Sequence, residues 1–245
     1  MIDLNTARSA GEKISVQENT IRFEHGTYTI TVKTKDTPRE DQGELSGEIE
    51  SITLQGTPVK AQYTGKGAVS ASFGADLKTL PVTGATVTAS LIEKPDDQSR
   101  AAFERAAEEN GFAVDSVAYA MKVDKSGLED GRDVGRATVT MTVSPAWVLE
   151  HGGFSGIQIA RFADDGSSEI LASSFNGIDA DSNMVFTGTS PRGLSIFALI
   201  SIKAQDQPVA PQPVTMPSKR SDASATMVFI PPILLFAALF LIRKT

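Results

Sequence analysis

Asp179, Asp181 and Asn183, in the stretch DADSN, put three oxygen-bearing side chains at alternate positions. That spacing supplies the first three ligands of a calcium loop, because a hard cation collects carboxylate and amide oxygens. Met184 stands where the loop's glycine should follow, and Ser190 where its last glutamate should. A solvated hairpin turn is therefore the preferred reading, with calcium as the alternative. GGFSG at 152–156 suggests a nucleophile elbow, in which a serine on a sharp turn attacks an acyl carbon. Its last glycine is out of register, with Ile157 in that place, so a helix–turn junction explains it. GKGAVS at 65–70 lacks the third glycine of a dinucleotide loop and reads as a turn between strands. The two histidines, His25 and His151, lie far apart in sequence. Trp147 is the only tryptophan and reads as a core plug rather than a ligand platform. Arg161, between Ile159 and Phe162 on a strand, either pairs with an acid across the sheet or is solvated. The acidic turns LEDGRDVG and ADDGSSE offer further carboxylates in space. These residues assign no catalytic group and no cofactor, and the expectation is a non-enzyme.

The elements that hold these residues are mostly strands. Residues 1–19 are polar, without period, and read as a flexible or edge segment. Alternation begins at Ile21 and Phe23 and resumes at Tyr28, Ile30 and Val32. It continues through Ile52 and Leu54, through Val59, Ala61 and Tyr63, and through GAVSASFGADL and ATVTASLIE. PDDQSRAAFERAAEENG breaks the pattern. Asp96 or Asp97 caps a helix over about 96–110, Ala102, Phe103, Ala106 and Ala107 share one face, and Gly111 stops it. DSVAYAMKV and RATVTMTV are strands again. Ser144 caps a short helix over about 145–151, with Pro145 in its first turn and Gly152 at its end. IQIARF, ADDGSSE and EILASSF read as a hairpin; NMVFTG and GLSIFALISIK complete the sheet. The fold class expected is mainly β with minor α: one or two antiparallel, β-sandwich-like modules with two helices, followed by a C-terminal transmembrane helix. The regions are a β-rich stretch at 20–93 and a β domain with helix at 94–203, left open as one domain or two.

Charge and composition narrow the partners. There are no cysteines, which excludes disulfides and thiolate-bound metals. Residues 1–203 carry 19 basic and 28 acidic side chains, a net charge of −9. Such a body is a poor nucleic-acid binder, because phosphate contacts need a basic patch. From 204 to 222 four prolines mark a semi-rigid linker. Residues 227–242 then carry no charge, and Arg243 and Lys244 follow. Taken with 223–226 the run reaches the roughly 20 residues that a bilayer needs, and positive flanks stay cytoplasmic. The expectation is a single-pass membrane protein with its body outside and its C-terminus in the cytoplasm. The first 20 residues have no apolar core of a signal peptide. An outside body thus implies a C-terminal piece of a longer precursor or a misplaced start; a tail-anchored protein with a cytoplasmic body is the alternative.

Residues 135–203 resemble the PGF-pre-PGF domain of archaeal cell-surface proteins. The matching pieces are ATVTMTVSPAWVLEHGG, IQIARFADDG and SPRGLSIFALISI. The family's closing Pro-Gly-Phe-Ser run reads here Pro191-Arg192-Gly193-Leu194-Ser195, with one inserted residue and leucine for phenylalanine. The resemblance implies an extracellular structural module associated with the S-layer or envelope proteins, with no known activity. The rivals are a binding or adhesion module for carbohydrate or an envelope protein, and an envelope hydrolase. The first would be marked by an exposed aromatic platform, the second by converging carboxylates.

Overall fold

The computed structural model of the chain describes residues 2–3, 12–81 and 84–205. The expected linker beyond Gln205 and the expected anchor at 223–245 lie outside the described residues. No helix among the described residues is long and apolar enough to cross a membrane.

In chain order the first strands are β1 (Ile2–Asp3), β2 (Lys13–Gln17), β3 (Thr20–Glu24), β4 (Tyr28–Thr34), β5 (Arg39–Asp41), β6 (Glu44–Ser46), β7 (Ile49–Gly56) and β8 (Val59–Tyr63). Then come β9 (Gly67–Leu77), β10 (Thr86–Ile92), helix α1 (Asp97–Glu108), β11 (Phe112–Ser126), β12 (Val134–Val143) and helix α2 (Pro145–Glu150). The last are β13 (Ile157–Phe162), β14 (Ser168–Ile170), β15 (Ala172–Ile178), β16 (Met184–Ser190) and β17 (Ile196–Ala204). They form mainly β structure in antiparallel sheets. One sheet has the order β15-β16-β12-β9-β7-β4-β3-β2, with β8 also on β9; a second has the order β10-β11-β17-β13-β14; β1, β6 and β5 form a small third.

The alternation read from sequence becomes burial. On β9, Val69, Ala71, Phe73, Ala75 and Leu77 all face inward. They share one core with Met141 and Phe186 of the large sheet and with Tyr119, Met121, Phe197 and Leu199 of the five-stranded sheet. The other face of the five-stranded sheet is buried as well. Phe103 of α1 packs there with Ala120, Ala160, Ala198 and Ile200. Burying Phe103 contributes about 1.5–3 kcal/mol. Helix α1 starts where expected, with the Asp96 carboxylate accepting the Ser99 N–H at 2.7 Å. That bond and the Ser99 hydroxyl hold the Asp96 carboxyl below the ordinary range.

Lys13–Gln17, in the segment read as flexible or edge, pairs with β3 as the edge of the large sheet. As an edge strand it buries little: only Ile14 is half-buried, packed against the core. The expected hairpin forms over Ala160–Phe162 and Ser168–Ile170, but the rest of EILASSF leaves it. The β13–β14 ladder ends at Ile170, Leu171 is buried, and the chain crosses to the large sheet as β15. Strands on either side of residue 93 also pair, β9 with β12 and β10 with β11, so one core spans the two regions.

Candidate functional site

The two acidic turns, far apart in sequence, meet. Strands β11 and β13 flank β17, and the start of β17 at Ile196 lies opposite both Lys122 and Phe162. The loop after β11, the turn after β13 and the loop before β17 therefore gather at one end of the five-stranded sheet. They enclose a cleft of about 540 Å³.

Arg161 forms part of its floor, with a side chain only 3% exposed. Its Nη1 donates to Glu169 Oε1 at 3.3 Å, and Glu169 is its cross-strand partner on β14. Its Nη2 donates to the Arg192 carbonyl at 3.0 Å and lies 3.9 Å from Asp130 Oδ2. Its Nε–H finds no partner. Lys125, from β11, has a side chain 8% exposed. Its ammonium donates to the Leu194 carbonyl at 2.9 Å and lies 2.9 Å from Asp130 Oδ2 and 3.6 Å from Asp164 Oδ2. Asp130 joins the two cations, and its other oxygen accepts the Leu194 N–H at 3.0 Å.

The loop 190–195 is thus wired from three directions. Ser190 Oγ closes it on itself by donating to the Gly193 carbonyl at 2.9 Å. Gly193 is required twice over. Its φ of +91° lies in the left-handed region, and a Cβ there would sit 2.2 Å from Asp130 Oδ1. The neighbouring loop is fixed by Asp133, which accepts the Glu129 N–H at 2.9 Å. The Arg132 guanidinium, followed by that N–H, holds the Asp133 carboxyl down to about 2. The cleft can therefore present fixed donors beside fixed acceptors. No nucleophile stands in it beside a free base.

The calcium candidates are placed otherwise. Asp179 Oδ1 accepts the N–H groups of Asp181 and Asn183 at 3.0 and 2.8 Å, building the β15–β16 turn. Asp181 faces the Lys60 ammonium at 3.6 Å. Among the described residues no three Asp, Glu or His side chains converge to hold a metal ion. Trp147 is 4% exposed and stacks on His151 with ring centroids 4.3 Å apart. The His151 Nδ1 lies 2.8 Å from the Trp147 carbonyl, so it carries the proton that bond needs. His25 stacks on Tyr28, 3.4 Å from Glu12; burial lowers its pKa and Glu12 opposes the shift. Ser155 of GGFSG is exposed on a 3-10 turn, and GKGAVS starts in the turn between β8 and β9 and runs into β9 from Gly67. An exposed aromatic pair does occur: Phe154 stacks on Phe175 at 5.4 Å.

Of the alternatives for Arg161, pairing with an acid across the sheet is what the fold makes. Lys125 carries no motif of its own, while Asp130 lies in an acidic turn and Gly193 in the Pro191–Ser195 run. The only sequence signals were the two acidic turns and the Gly-containing SPRGLS loop. Comparison with known proteins finds no matching family model, curated protein or solved structure.

Proposed function

We propose that the chain is a non-enzymatic cell-surface module of the archaeal envelope type: a β-sandwich-like body on a proline-rich stalk, tethered by a C-terminal membrane anchor. The order of three segments carries this reading. The last strand ends at Ala204, the four prolines follow by residue 217, and the uncharged run 227–242 leads to Arg243 and Lys244. Strand β17 is central rather than terminal in its sheet, so the body is already complete where the prolines begin. Four prolines cannot donate to a ladder, and the stretch has little apolar surface to bury. It therefore serves to hold the body clear of a surface.

The body's charge also favours display. A net of −9 over residues 1–203 repels neighbours of the same kind and nucleic acid alike. The resemblance to PGF-pre-PGF modules falls on the wired loop 190–195 and on β17, which gives the run a structural role. Its natural partners are then the membrane and neighbouring envelope or S-layer proteins. Asp130, Asp164 and Glu169 face Lys125 or Arg161 and act as paired acceptors, which favours a display role over hydrolysis.

Brief trypsin treatment of intact cells or outside-out vesicles tests the proposal. Lys219 and Arg220 should be cut first, shedding one compact fragment that keeps the sheets. Complete protection, or loss of the body through many internal cuts, overturns it.

A further inference from the structure

We infer that the end of the body from which the chain leaves β17 seats on the surface of the lipid bilayer, through exposed apolar side chains rather than through charge. The inference rests on the tethering reading, which brings that bilayer within reach.

The argument begins with where apolar surface is left uncovered. Seven large apolar side chains among the described residues are exposed, and five of them, Phe112, Leu149, Phe154, Phe175 and Ile178, lie at one end of the body. The cleft marks the other end. Phe112 lies opposite Ala204 at the close of β17, and β13 begins with Ile157 opposite Ser201, just after Phe154. Strand β12 starts beside the cleft loop 127–133 and ends at Val143, so α2 with Leu149 follows at the far end. Val143 pairs with Met184, and Met184 with Ile178. The Phe154 ring stacks on Phe175 at 5.4 Å, and Phe175 leans on the buried Phe186 at 5.7 Å. The core therefore fixes the exposed rings in place.

Scattered apolar side chains need no explanation, but five at one end mark a contact surface. The path of the chain says what covers it. The chain leaves the body at this end through Gln205, whose N–H donates to the Gly111 carbonyl at 3.3 Å. Seventeen residues, 206–222, separate Gln205 from the run read as an anchor, 223–242. Fully extended they span roughly 50 Å, at about 3.1 Å per residue. The stalk thus sets how far the body can stand off, and the apolar end sets where it rests when it comes down. A tether of this length holds the end near the bilayer at about millimolar effective concentration, so a weak contact suffices.

Other covers fit less well. A second copy is repelled by the net charge of −9 that residues 1–203 of each chain carry. A saccharide stacks on an open aromatic face beside polar groups, whereas the Phe154 face is taken by Phe175, and Leu149 and Ile178 add only C–H surface. Nearby cations are already engaged: Lys203 faces Asp115 at 3.3 Å and Lys60 faces Asp181 at 3.6 Å. Anionic head groups therefore find little to hold, and a neutral bilayer suffices.

The test uses a nitroxide label. The chain has no cysteine, so Ser155→Cys, beside Phe154, and Asp164→Cys, at the cleft, each supply a single thiol at an exposed position. The full-length chain is placed in neutral phosphatidylcholine vesicles. Electron paramagnetic resonance then compares collisions of the label with oxygen, which concentrates in lipid, and with a water-soluble nickel chelate. The label at 155 should meet oxygen and the label at 164 the chelate. Leu149→Ser and Phe154→Ser, both at exposed positions, should each lower the ratio of seated to free bodies about tenfold, the loss of one apolar side chain from the contact. Salt, which screens exposed charges, should leave that ratio unchanged. A chain that fails to float with the vesicles overturns the tethering reading and this inference with it. A chain that floats with them but meets the chelate at 155 overturns the inference alone. So does lipid contact that salt abolishes or that neither serine variant weakens. Dipolar broadening between labels at 155 in place of oxygen collision assigns the end to a second copy and overturns it as well.

Discussion

Replacing Tyr119 by phenylalanine removes one oxygen atom from the centre of the core. The Tyr119 hydroxyl lies 2.8 Å from the Ser70 carbonyl and 2.9 Å from the Thr142 carbonyl, and it accepts the Thr142 N–H at 3.1 Å. Ser70 and Thr142 are register partners on β9 and β12. Their direct exchange is replaced by two side-chain hydroxyls, since the Ser70 N–H goes to Thr142 Oγ1 at 2.9 Å. Tyr119 comes from the opposite sheet, so its hydroxyl is a polar link across the core. The phenylalanine ring keeps the packing, because the change conserves nearly all of the volume. What remains is one buried N–H and one buried carbonyl without that partner, at about 1–3 kcal/mol each, or about 2–6 kcal/mol together. The measurement is urea unfolding of the chain ending at residue 222, followed by Trp147 emission. With a slope of about 2 kcal/mol per molar urea, the midpoint should fall by about 1–3 M at unchanged slope. A fall below about 0.3 M would mean that Ser70 and Thr142 close the ladder directly, and the link would then carry no stability.

The same residue sets an alkaline limit. Burial pushes the Tyr119 phenol well up, against a smaller opposing effect of its Thr142 hydrogen bond. The folded pKa thus exceeds the unfolded value of about 10, so stability is intact below that pH and lost above it, by up to about 1.4 kcal/mol per pH unit. Tyr119→Phe should flatten that part of the alkaline unfolding curve, and an unchanged slope would assign the loss to other groups. Trp147→Ala should cost about 3–5 kcal/mol in the same urea experiment, and native Trp147 emission should be blue-shifted and poorly quenched. Gly193→Ala should cost at least about 1–2 kcal/mol from its left-handed φ alone. It should also speed hydrogen exchange at the Leu194 amide, since the new methyl displaces Asp130.

How much of this was legible depended on whether the information was local. Asp96 with the Ala102, Phe103, Ala106 and Ala107 face announced α1, and Ser144-Pro145 announced α2, because caps and helical spacing span only a few residues. Alternation announced β4 and β9, each with one face in the core. It failed to reveal that β11 and β17 are covered on both faces, although AYAM and FALIS are near-continuous apolar runs of the kind such strands show. The crossing at Leu171 was invisible, since Ile170 and Leu171 read alike in either sheet. Lys13–Gln17 looked shapeless because its order comes from β3 and not from its own pattern. The cleft needed three loops, at 127–133, 163–167 and 190–195, to be brought together by β11, β13 and β17. No spacing within any one loop records that meeting.

The position of β17 has a consequence for how the body meets force. Any pull on Gln205 enters the body at the C-terminal end of this strand. β17 is bonded along one edge to β11 and along the other to β13. Drawn out along its own axis it cannot be peeled one rung at a time, as an edge strand such as β2 could. Both ladders are loaded in shear together, and many bonds must yield at once. At the strand's other end, Lys125 and Asp130 grip Leu194 and Arg161 grips the Arg192 carbonyl, so the pull is shared between the ladders and a brace of ion pairs.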